Sequence, residues 1–131
     1  MTPKSQVLLV EDDLMVRDAL KFFLEDVLSL SGYDAAVDCA ASGEEALQKV
    51  QQQNYDLVLR DTQMGGIDGY EACAQIKEKN PERIVIGMSA DRGYKQQWMA
   101  AGANDFVHKC DFTKSIKGIL GQYLQKSTEM R

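Results

Sequence analysis

Residues 56–61 read Asp-Leu-Val-Leu-Arg-Asp, a short apolar run that begins and ends on a carboxylate. A second run, Val-Leu-Leu-Val at residues 7–10, leads into the acidic cluster Glu11-Asp12-Asp13. Apolar runs of this length are typical of parallel strands that are covered by helices on both faces. The carboxyl ends of such strands meet at one edge of the sheet, where ligands bind in open α/β folds. The two runs therefore predict strands that bring carboxylates to one site.

Crowded carboxylates create an electrostatic problem at that edge. Like charges repel one another, so at least one of Glu11, Asp12 and Asp61 should have a raised pKa unless a cation lies between them. Hard oxygen ligands suit Mg²⁺, and Mn²⁺ is a possible substitute. We therefore expect a divalent-cation site at this edge.

Strand-like and helix-like segments alternate along the rest of the chain. The predicted strands, taken from the apolar runs, are residues 7–10, 35–40, 57–59, 84–88 and 106–107. The second is the weakest prediction because it is rich in alanine and contains Asp38. Five alternations imply right-handed crossovers and a parallel sheet. We predict an α/β fold, a doubly wound five-stranded parallel sheet with helices on both faces.

Capping signals predict where the first helices begin. Asp13 can cap the first helix, and Ser42-Gly43-Glu44-Glu45 reads as a capping box for the second. Residues 68–71 repeat that logic for a third helix, which Asn80-Pro81 should end. The first helix should bury six apolar residues: Leu14, Leu20, Phe23, Leu24, Val27 and Leu28.

The last two helices are predicted from a terminator and from apolar spacing. One should lie within residues 93–101, with Gly102 as its left-handed terminator. The other should begin near Asp111 or Thr113. It is expected to bury five apolar residues: Ile116, Ile119, Leu120, Tyr123 and Leu124.

Composition limits the class of protein. The 131 residues suffice for one domain, which we expect to span 1–131 with a core at about 7–124 and flexible ends at 1–6 and 126–131. A net charge of −5 argues against direct nucleic-acid binding, and no apolar stretch approaches the length needed for membrane insertion. Cys39, Cys73 and Cys110 lack the spacing of a metal or redox motif. They predict reduced, buried thiols in a cytoplasmic protein.

Five motifs, in order, make the chain resemble the receiver domain of response regulators, the CheY-like module of two-component signalling. They are Val-Glu-Asp-Asp at 10–13, Asp-Leu-Val-Leu-Arg-Asp at 56–61, the loop from Met64 to Gly69, Met-Ser-Ala at 88–90 and Gly-Ala-Asn-Asp-Phe-Val-His-Lys at 102–109. The resemblance runs from about residue 7 to residue 123 and implies a flavodoxin-like sheet of strand order 2-1-3-4-5.

The resemblance also implies a role for each site residue. Asp61 would be the phosphoacceptor, and Ser89 and Lys109 would contact the phosphoryl group. The Mg²⁺ ligands would be Glu11 (mainly through water), Asp12, Asp61 and the backbone carbonyl of Gln63. Ser89 and Phe106 would form the switch, since an inward movement of Ser89 lets the ring of Phe106 turn inward.

The implied function is acceptance of a phosphoryl group from a phosphohistidine, with slow autodephosphorylation. The chain would thus not be a classical enzyme, although it would catalyse its own modification. The donor would be a histidine kinase or a histidine phosphotransfer protein, and the output a downstream effector or an attached kinase. The chemistry fits the residue types, because a carboxylate that attacks an anionic phosphoryl group needs cations beside it.

The chain departs from the family pattern at four places. Cys110 stands where a cis-proline is usual, so the peptide bond before it is either strained or rebuilt in trans. Gly65 replaces a proline after Met64, and Arg60 replaces an apolar residue, although strand alternation should point it away from Asp61. Residues 27–42 are about six residues longer than is common, roughly one helical turn.

Two other readings of the function stay open. A phosphatase of the haloacid-dehalogenase type also uses a strand-end aspartate and Mg²⁺, but it needs a second aspartate at the position of Gln63. A pseudo-receiver would never take phosphate. Five retained residues weigh against it: Glu11, Asp12, Asp61, Ser89 and Lys109.

Overall fold

The computed structural model describes residues 5–61, 73–74, 76–78 and 80–124. Its five strands are β1 (Ser5–Val10), β2 (Ala35–Ala40), β3 (Leu57–Asp61), β4 (Ile84–Ser89) and β5 (Asp105–His108). Its helices are α1 (Leu14–Leu30), α2 (Gly43–Gln52), α3 (Lys95–Ala100) and α4 (Phe112–Tyr123). Residues 73–74 and 76–78 are also helical, and single 3₁₀ turns occupy Arg92–Tyr94 and Lys109–Asp111.

The sheet has the predicted topology. All of its strand pairs are parallel, and the order is β2-β1-β3-β4-β5. Every predicted strand is present, and each apart from β2 extends one to two residues beyond its predicted bounds. The extension of β3 matters most, because it places Asp61 at the last position of the strand.

Two hydrophobic clusters cover the two faces of the sheet, as the uninterrupted apolar strands predicted. One joins α1 and α4 to side chains such as Leu9, Leu59 and Met88. The other joins α2, α3 and the helical residue Ile76 to the opposite face, which includes Val58. The sheet is therefore sandwiched between helices, and its polar groups concentrate at the ends of the strands.

Gly87 allows α3 to approach β4 closely. A Cβ atom at this position would collide with the indole ring of Trp98, which is fully buried. Met99, the next residue, is exposed. Gly102 then ends the helix with a φ of 99°, the left-handed conformation that the sequence predicted.

The predicted inner face of α1 is partly wrong. Leu20, Leu24 and Leu28 are buried, but Leu14 is 60% exposed and Phe23 is 43% exposed. The buried residues follow a four-residue spacing, which is a narrower stripe than the six positions predicted. Four of the five residues predicted for the last helix are buried: Ile116, Ile119, Leu120 and Leu124. Tyr123 is only half-buried, because its hydroxyl reaches out to donate to the backbone oxygen of Asn104.

The prediction that all three cysteines are buried is also wrong. All three are free thiols, but Cys73 is buried, Cys39 is half-buried and Cys110 is exposed. Cys110 lies in the 3₁₀ turn that joins β5 to α4, and none of the three residues of this turn is buried. Within the part of the chain that the structure describes, no helix has both the length and the apolar character to cross a membrane.

Candidate functional site

Three carboxylates converge where β1 and β3 end. These strands are neighbours, and Val10 pairs with Arg60, so Glu11 and Asp61 follow at matching positions. Glu11, Asp12 and Asp61 each offer an oxygen, and these oxygens all lie within 4.8 Å of one another. Glu11 is 2% exposed and Asp61 is 6% exposed, whereas Asp12 is open to solvent. The predicted acidic cluster is therefore present in the fold.

Lys109 reaches the same cluster from the far side of β4. Its Nζ atom lies 2.6 Å from Oε1 of Glu11 and 2.6 Å from Oδ1 of Asp61. Burial lowers the pKa of Lys109, but the hydrogen bonds to Asp61 and Glu11 outweigh that effect and the net shift is upward. The ammonium therefore stays charged at neutral pH, and it carries one positive charge against three carboxylates.

The imbalance of charge appears in the pKa of Glu11. Burial raises this pKa, and the nearby charge of Asp61 raises it further. The hydrogen bonds from Lys109 and from the backbone N–H of Asp13 oppose the shift without cancelling it. The prediction that at least one carboxylate of the cluster has a raised pKa is confirmed for Glu11.

Ser89 lies across the site at the end of β4. It is buried, and its Oγ accepts a hydrogen bond of 3.0 Å from the backbone N–H of Asp91. The carboxylate of Asp91 in turn accepts from the N–H of Gly93 at 2.8 Å. A cavity of about 260 Å³ opens between these groups, lined by Glu11, Asp12, Asp13, Val16, Asp61, Ser89, Ala90, Asp91 and Lys109.

The loop between β1 and α1 is fixed by groups that are not part of the acidic cluster. Asp13 caps α1, as predicted, because its Oδ1 accepts from the N–H of Val16 at 3.0 Å. Arg17 donates from Nη1 to the backbone oxygen of Glu11 at 2.9 Å. Sequence reasoning missed Arg17, since an arginine on the first turns of a helix carries no signal that its side chain folds back onto the preceding loop.

The donor set fits a divalent cation of the hard type. Carboxylate oxygens are the ligands that Mg²⁺ prefers, and the cluster has room beside it in the cavity. Glu11, Asp12 and Asp61 are the described residues that could hold the ion. The fourth expected ligand, the carbonyl of Gln63, lies outside the described residues, as do Met64, Gly65 and the predicted helix cap at 68–71.

Two departures from the family pattern, at Cys110 and at Arg60, have structural answers. The peptide bond between Lys109 and Cys110 is trans, because no cis bond occurs in the described segments. The trans chain passes directly into the 3₁₀ turn before α4. Burial raises the pKa of the Cys73 thiol, and Arg60, which is fully buried, lies close enough for its charge to oppose that shift. Arg60 is therefore on the face away from Asp61, as alternation predicted.

The expected switch residues lie at the edge of the site. Ser89 is buried beside the cavity, and Phe106 is half-buried against the cluster that contains Trp98. The side chain of His108 is 14% exposed. A change of state at Ser89 and Phe106 stays a prediction.

Comparison with known proteins agrees with this arrangement. Residues 7–119 match the family model described as the response regulator receiver domain. The transcriptional regulatory protein ResD of Bacillus subtilis is 34% identical over 109 residues, which are 82% of this chain and 43% of ResD. The hybrid signal transduction histidine kinase B of Dictyostelium discoideum is 34% identical over 126 residues, 85% of this chain and 6% of that protein.

A solved structure is similar in fold over almost the whole chain. It is the response regulator TrrA of Thermotoga maritima in complex with Mg²⁺ and BeF, with a TM-score of 0.76 and 29% identity. The alignment covers 92% of this chain and 99% of TrrA. The chain spans less than half the length of ResD and of the hybrid kinase.

Proposed function

Because the chain belongs to the response regulator receiver domains of two-component signalling, we propose that Asp61 accepts a phosphoryl group from a phosphohistidine. The observation that carries the proposal is the contact of one ammonium, that of Lys109, with both Asp61 and Glu11 at 2.6 Å. A nucleophilic carboxylate beside a cation, at the mouth of a cavity, is what the transfer of an anionic group requires.

The proposed step forms one bond and breaks one. A carboxylate oxygen of Asp61 attacks phosphorus, the P–N bond of the phosphohistidine breaks, and the imidazole leaves with the bonding pair. The products are an acyl phosphate on Asp61 and a neutral histidine on the donor. The imidazole ring of the donor keeps the proton on its other nitrogen, or takes up one proton if it carried none. Water later attacks the phosphorus of the acyl phosphate, the P–O bond to Asp61 breaks, and inorganic phosphate leaves, which restores the carboxylate of Asp61. The chain modifies itself and is not a classical enzyme.

Lys109 and Ser89 act on the phosphoryl oxygens in this proposal. Lys109 offsets the negative charge that the phosphoryl group brings beside Asp61, and Ser89 offers its hydroxyl as a donor from the opposite wall. Glu11, Asp12, Asp61 and the carbonyl of Gln63 would hold Mg²⁺, or Mn²⁺ in its place. A bound cation supplies charge neutralisation and helps to orient the transferred group.

An apolar groove next to the site supports a protein as the donor. It is lined by Met15, Val16, Ala19, Leu20, Phe23, Lys109 and Cys110 and has a volume of about 420 Å³. Met15 is 82% exposed, so the groove presents apolar surface beside Lys109. A histidine kinase or histidine phosphotransfer protein that covers this surface would bring its phosphohistidine to Asp61.

The proposed output is a change of surface that another protein reads. Movement of Ser89 and Phe106 would alter the face of β4, β5 and the adjoining helices for a downstream effector or an attached kinase. The proposal includes no direct contact with nucleic acid and no membrane insertion. We place the protein in the cytoplasm, where free thiols persist, and treat residues 1–131 as one receiver domain.

The test is phosphorylation by a small donor, followed by intact-mass measurement. Wild-type protein incubated with acetyl phosphate should gain one phosphoryl group with Mg²⁺ or Mn²⁺ present and none with a chelator. Failure to label under any of these conditions would favour the pseudo-receiver reading. Repeated turnover of a small phosphomonoester would favour a phosphatase instead.

A further inference from the structure

His108 connects the two residues that flank the phosphoacceptor. It pairs with Ser89 in the ladder between β4 and β5, and it immediately precedes Lys109 in the chain. Its side chain is 14% exposed, so the ring lies mostly within the fold. A residue in this position can influence Ser89 and Lys109 together.

The ring makes one strong hydrogen bond, to the loop that follows β4. Nε2 lies 2.7 Å from the backbone oxygen of Ala90, the residue after Ser89. A carbonyl oxygen can only accept, so Nε2 must carry the proton whether the ring is neutral or charged. The bond therefore ties β5 to the loop in both protonation states.

The other ring nitrogen keeps the ring in place without a second hydrogen bond. Nδ1 is sealed from solvent and makes no hydrogen bond to a described residue. Its nearest acidic neighbour is Asp111 in the 3₁₀ turn, with Oδ2 at 3.9 Å. The ring is thus wedged between the turn after Lys109 and the loop after Ser89, and a cavity lined by Lys95, Phe106, His108, Asp111 and Ser115 adjoins it.

The loop after β4 also has hydrogen bonds within itself. Within it, Ser89 Oγ accepts from the N–H of Asp91, and Asp91 accepts from the N–H of Gly93. These bonds are internal to the loop and do not attach it to the neighbouring strand. The bond from His108 to Ala90 crosses from β5 and so limits where the hydroxyl of Ser89 can lie relative to Lys109.

We infer that His108 is a positioning residue, which holds Ser89 and Lys109 at a fixed separation through its hydrogen bond to the carbonyl of Ala90. The inference rests on the proposed function, since the separation matters because both groups would contact the phosphoryl group on Asp61. Loss of the bond lets the loop drift and lowers the rate at which the phosphoryl group is captured. A displacement of about 1 Å is enough to slow a reaction that depends on orientation.

A matched pair of substitutions tests the bond itself. His108→Gln carries an amide N–H at nearly the reach of Nε2, whereas His108→Asn is equally polar but one carbon shorter. With acetyl phosphate and saturating Mg²⁺, His108→Asn and the apolar His108→Leu should label Asp61 roughly threefold to tenfold more slowly than wild type, the effect of one hydrogen bond. His108→Gln should recover most of the rate. Unfolding midpoints of all four proteins show whether each is folded at the assay temperature.

The outcomes separate the inference from the function on which it rests. A wild type that does not label refutes the proposed function and the positioning role with it. A wild type that labels, beside a His108→Asn that labels equally fast, refutes the positioning role alone. Equal slowing in His108→Gln and His108→Asn also refutes it, since the effect would then follow loss of the ring and not loss of the bond. If His108→Leu fails to fold, the comparison of labelling rates between His108→Gln and His108→Asn still tests the positioning role.

Discussion

Two acidic sites in this domain are built from the same residue types and behave in opposite ways. Asp38, on β2, accepts from the hydroxyl of Tyr55 at 2.6 Å, from Nζ of Lys49 at 3.0 Å and from its neighbour's N–H at 2.9 Å. Burial alone would raise the pKa of Asp38, but these hydrogen bonds lower it overall. At the carboxyl edge of the sheet, Glu11 has a raised pKa.

The two carboxylates differ in burial, since Glu11 is 2% exposed and the side chain of Asp38 is 41% exposed, and they differ in the donors available to them. Asp38 accepts from the phenol of Tyr55 and from Lys49, whose Nζ also lies 3.8 Å from Glu45, whereas Lys109 lies 2.6 Å from both Glu11 and Asp61, with Asp12 close by. A carboxylate with enough donors stabilises the fold. A cluster with too few donors remains unbalanced until a cation or a new chemical group arrives. The comparison teaches that electrostatic imbalance marks the functional site.

Exchange of the nucleophile should have the largest effect. Asp61→Asn removes the attacking carboxylate, so labelling by acetyl phosphate should be abolished, as read by intact mass. Asp38→Asn is the matched control on the edge strand β2, and it should label like wild type. Full labelling of Asp61→Asn would sink the assignment of Asp61, and loss of labelling in the control would erase the distinction between the two sites.

Magnesium should stabilise the wild type measurably. At ten times its dissociation constant, Mg²⁺ should raise the free energy of unfolding by about 1.4 kcal/mol through mass action. Asp12→Ala should respond much less, because it removes one ligand. Asp13→Ala loses a helix cap but no ligand, so it should be less stable and yet keep the response to Mg²⁺. Denaturant melts with and without Mg²⁺ measure the response of all three proteins. A wild-type midpoint that Mg²⁺ leaves unchanged would contradict the metal site.

In the absence of metal, replacing one carboxylate at each site should change the free energy of unfolding in opposite directions. Asp61→Asn relieves repulsion from Glu11 while Lys109 keeps Glu11 as its partner, so the fold should gain about 1–2 kcal/mol. Asp38→Asn weakens satisfied hydrogen bonds and should lose about 1 kcal/mol. Denaturant melts in the presence of a chelator measure both changes. A loss of stability in Asp61→Asn would show that the cluster is balanced without a cation.

The effect of pH on stability should be smaller than the effects of these substitutions, and it should differ between the Glu11 site and the Asp38 site. Glu11 has a folded pKa above its usual 4.5, so its contribution is greatest below 4.5 and is lost as pH rises through the folded value. Asp38 has a folded pKa below its usual 3.8, so its contribution is present above 3.8 and is lost as pH falls through the folded value.

Metal-free protein should therefore become more stable on acidification from neutral pH toward 4.5, and less stable below about 3.8. Glu11→Gln should reduce the gain in stability between neutral pH and 4.5, and it should leave the loss below about 3.8 unchanged. Denaturant melts across this pH range measure both. If the stability of the wild type instead falls steadily on acidification from neutral pH, Glu11 does not govern stability between neutral pH and 4.5.

Much of this fold follows from the apolar runs. Near-continuous runs predicted all five strands and the cover of helices on both faces, because no other arrangement buries such strands. The ends of the strands carried Glu11 and Asp61, so the acidic cluster was predictable as well. Asp38, which made β2 the weakest prediction, is accommodated by Tyr55 and Lys49 from elsewhere in the chain.

Other features depend on tertiary contacts that no local pattern encodes. The exposure of Leu14 and Phe23 depends on how much of α1 the sheet and α4 cover, which apolar spacing does not determine. Cys110 is exposed and follows a trans peptide bond, and the sequence had left the isomer of that bond open. The bond from His108 to Ala90 joins two segments through a side chain and a backbone carbonyl, and a carbonyl has no sequence signal.

The most direct test of the central claim is to locate the phosphoryl group at a single residue. Wild-type protein labelled with acetyl phosphate and Mg²⁺ is treated with borohydride, which reduces an aspartyl phosphate to homoserine, and its peptides are then sequenced by mass spectrometry. We expect homoserine at position 61 when Mg²⁺ was present and unmodified Asp61 when a chelator replaced it. Homoserine at Asp12 or Asp38, or a borohydride-resistant phosphoester on Ser89, would contradict the account.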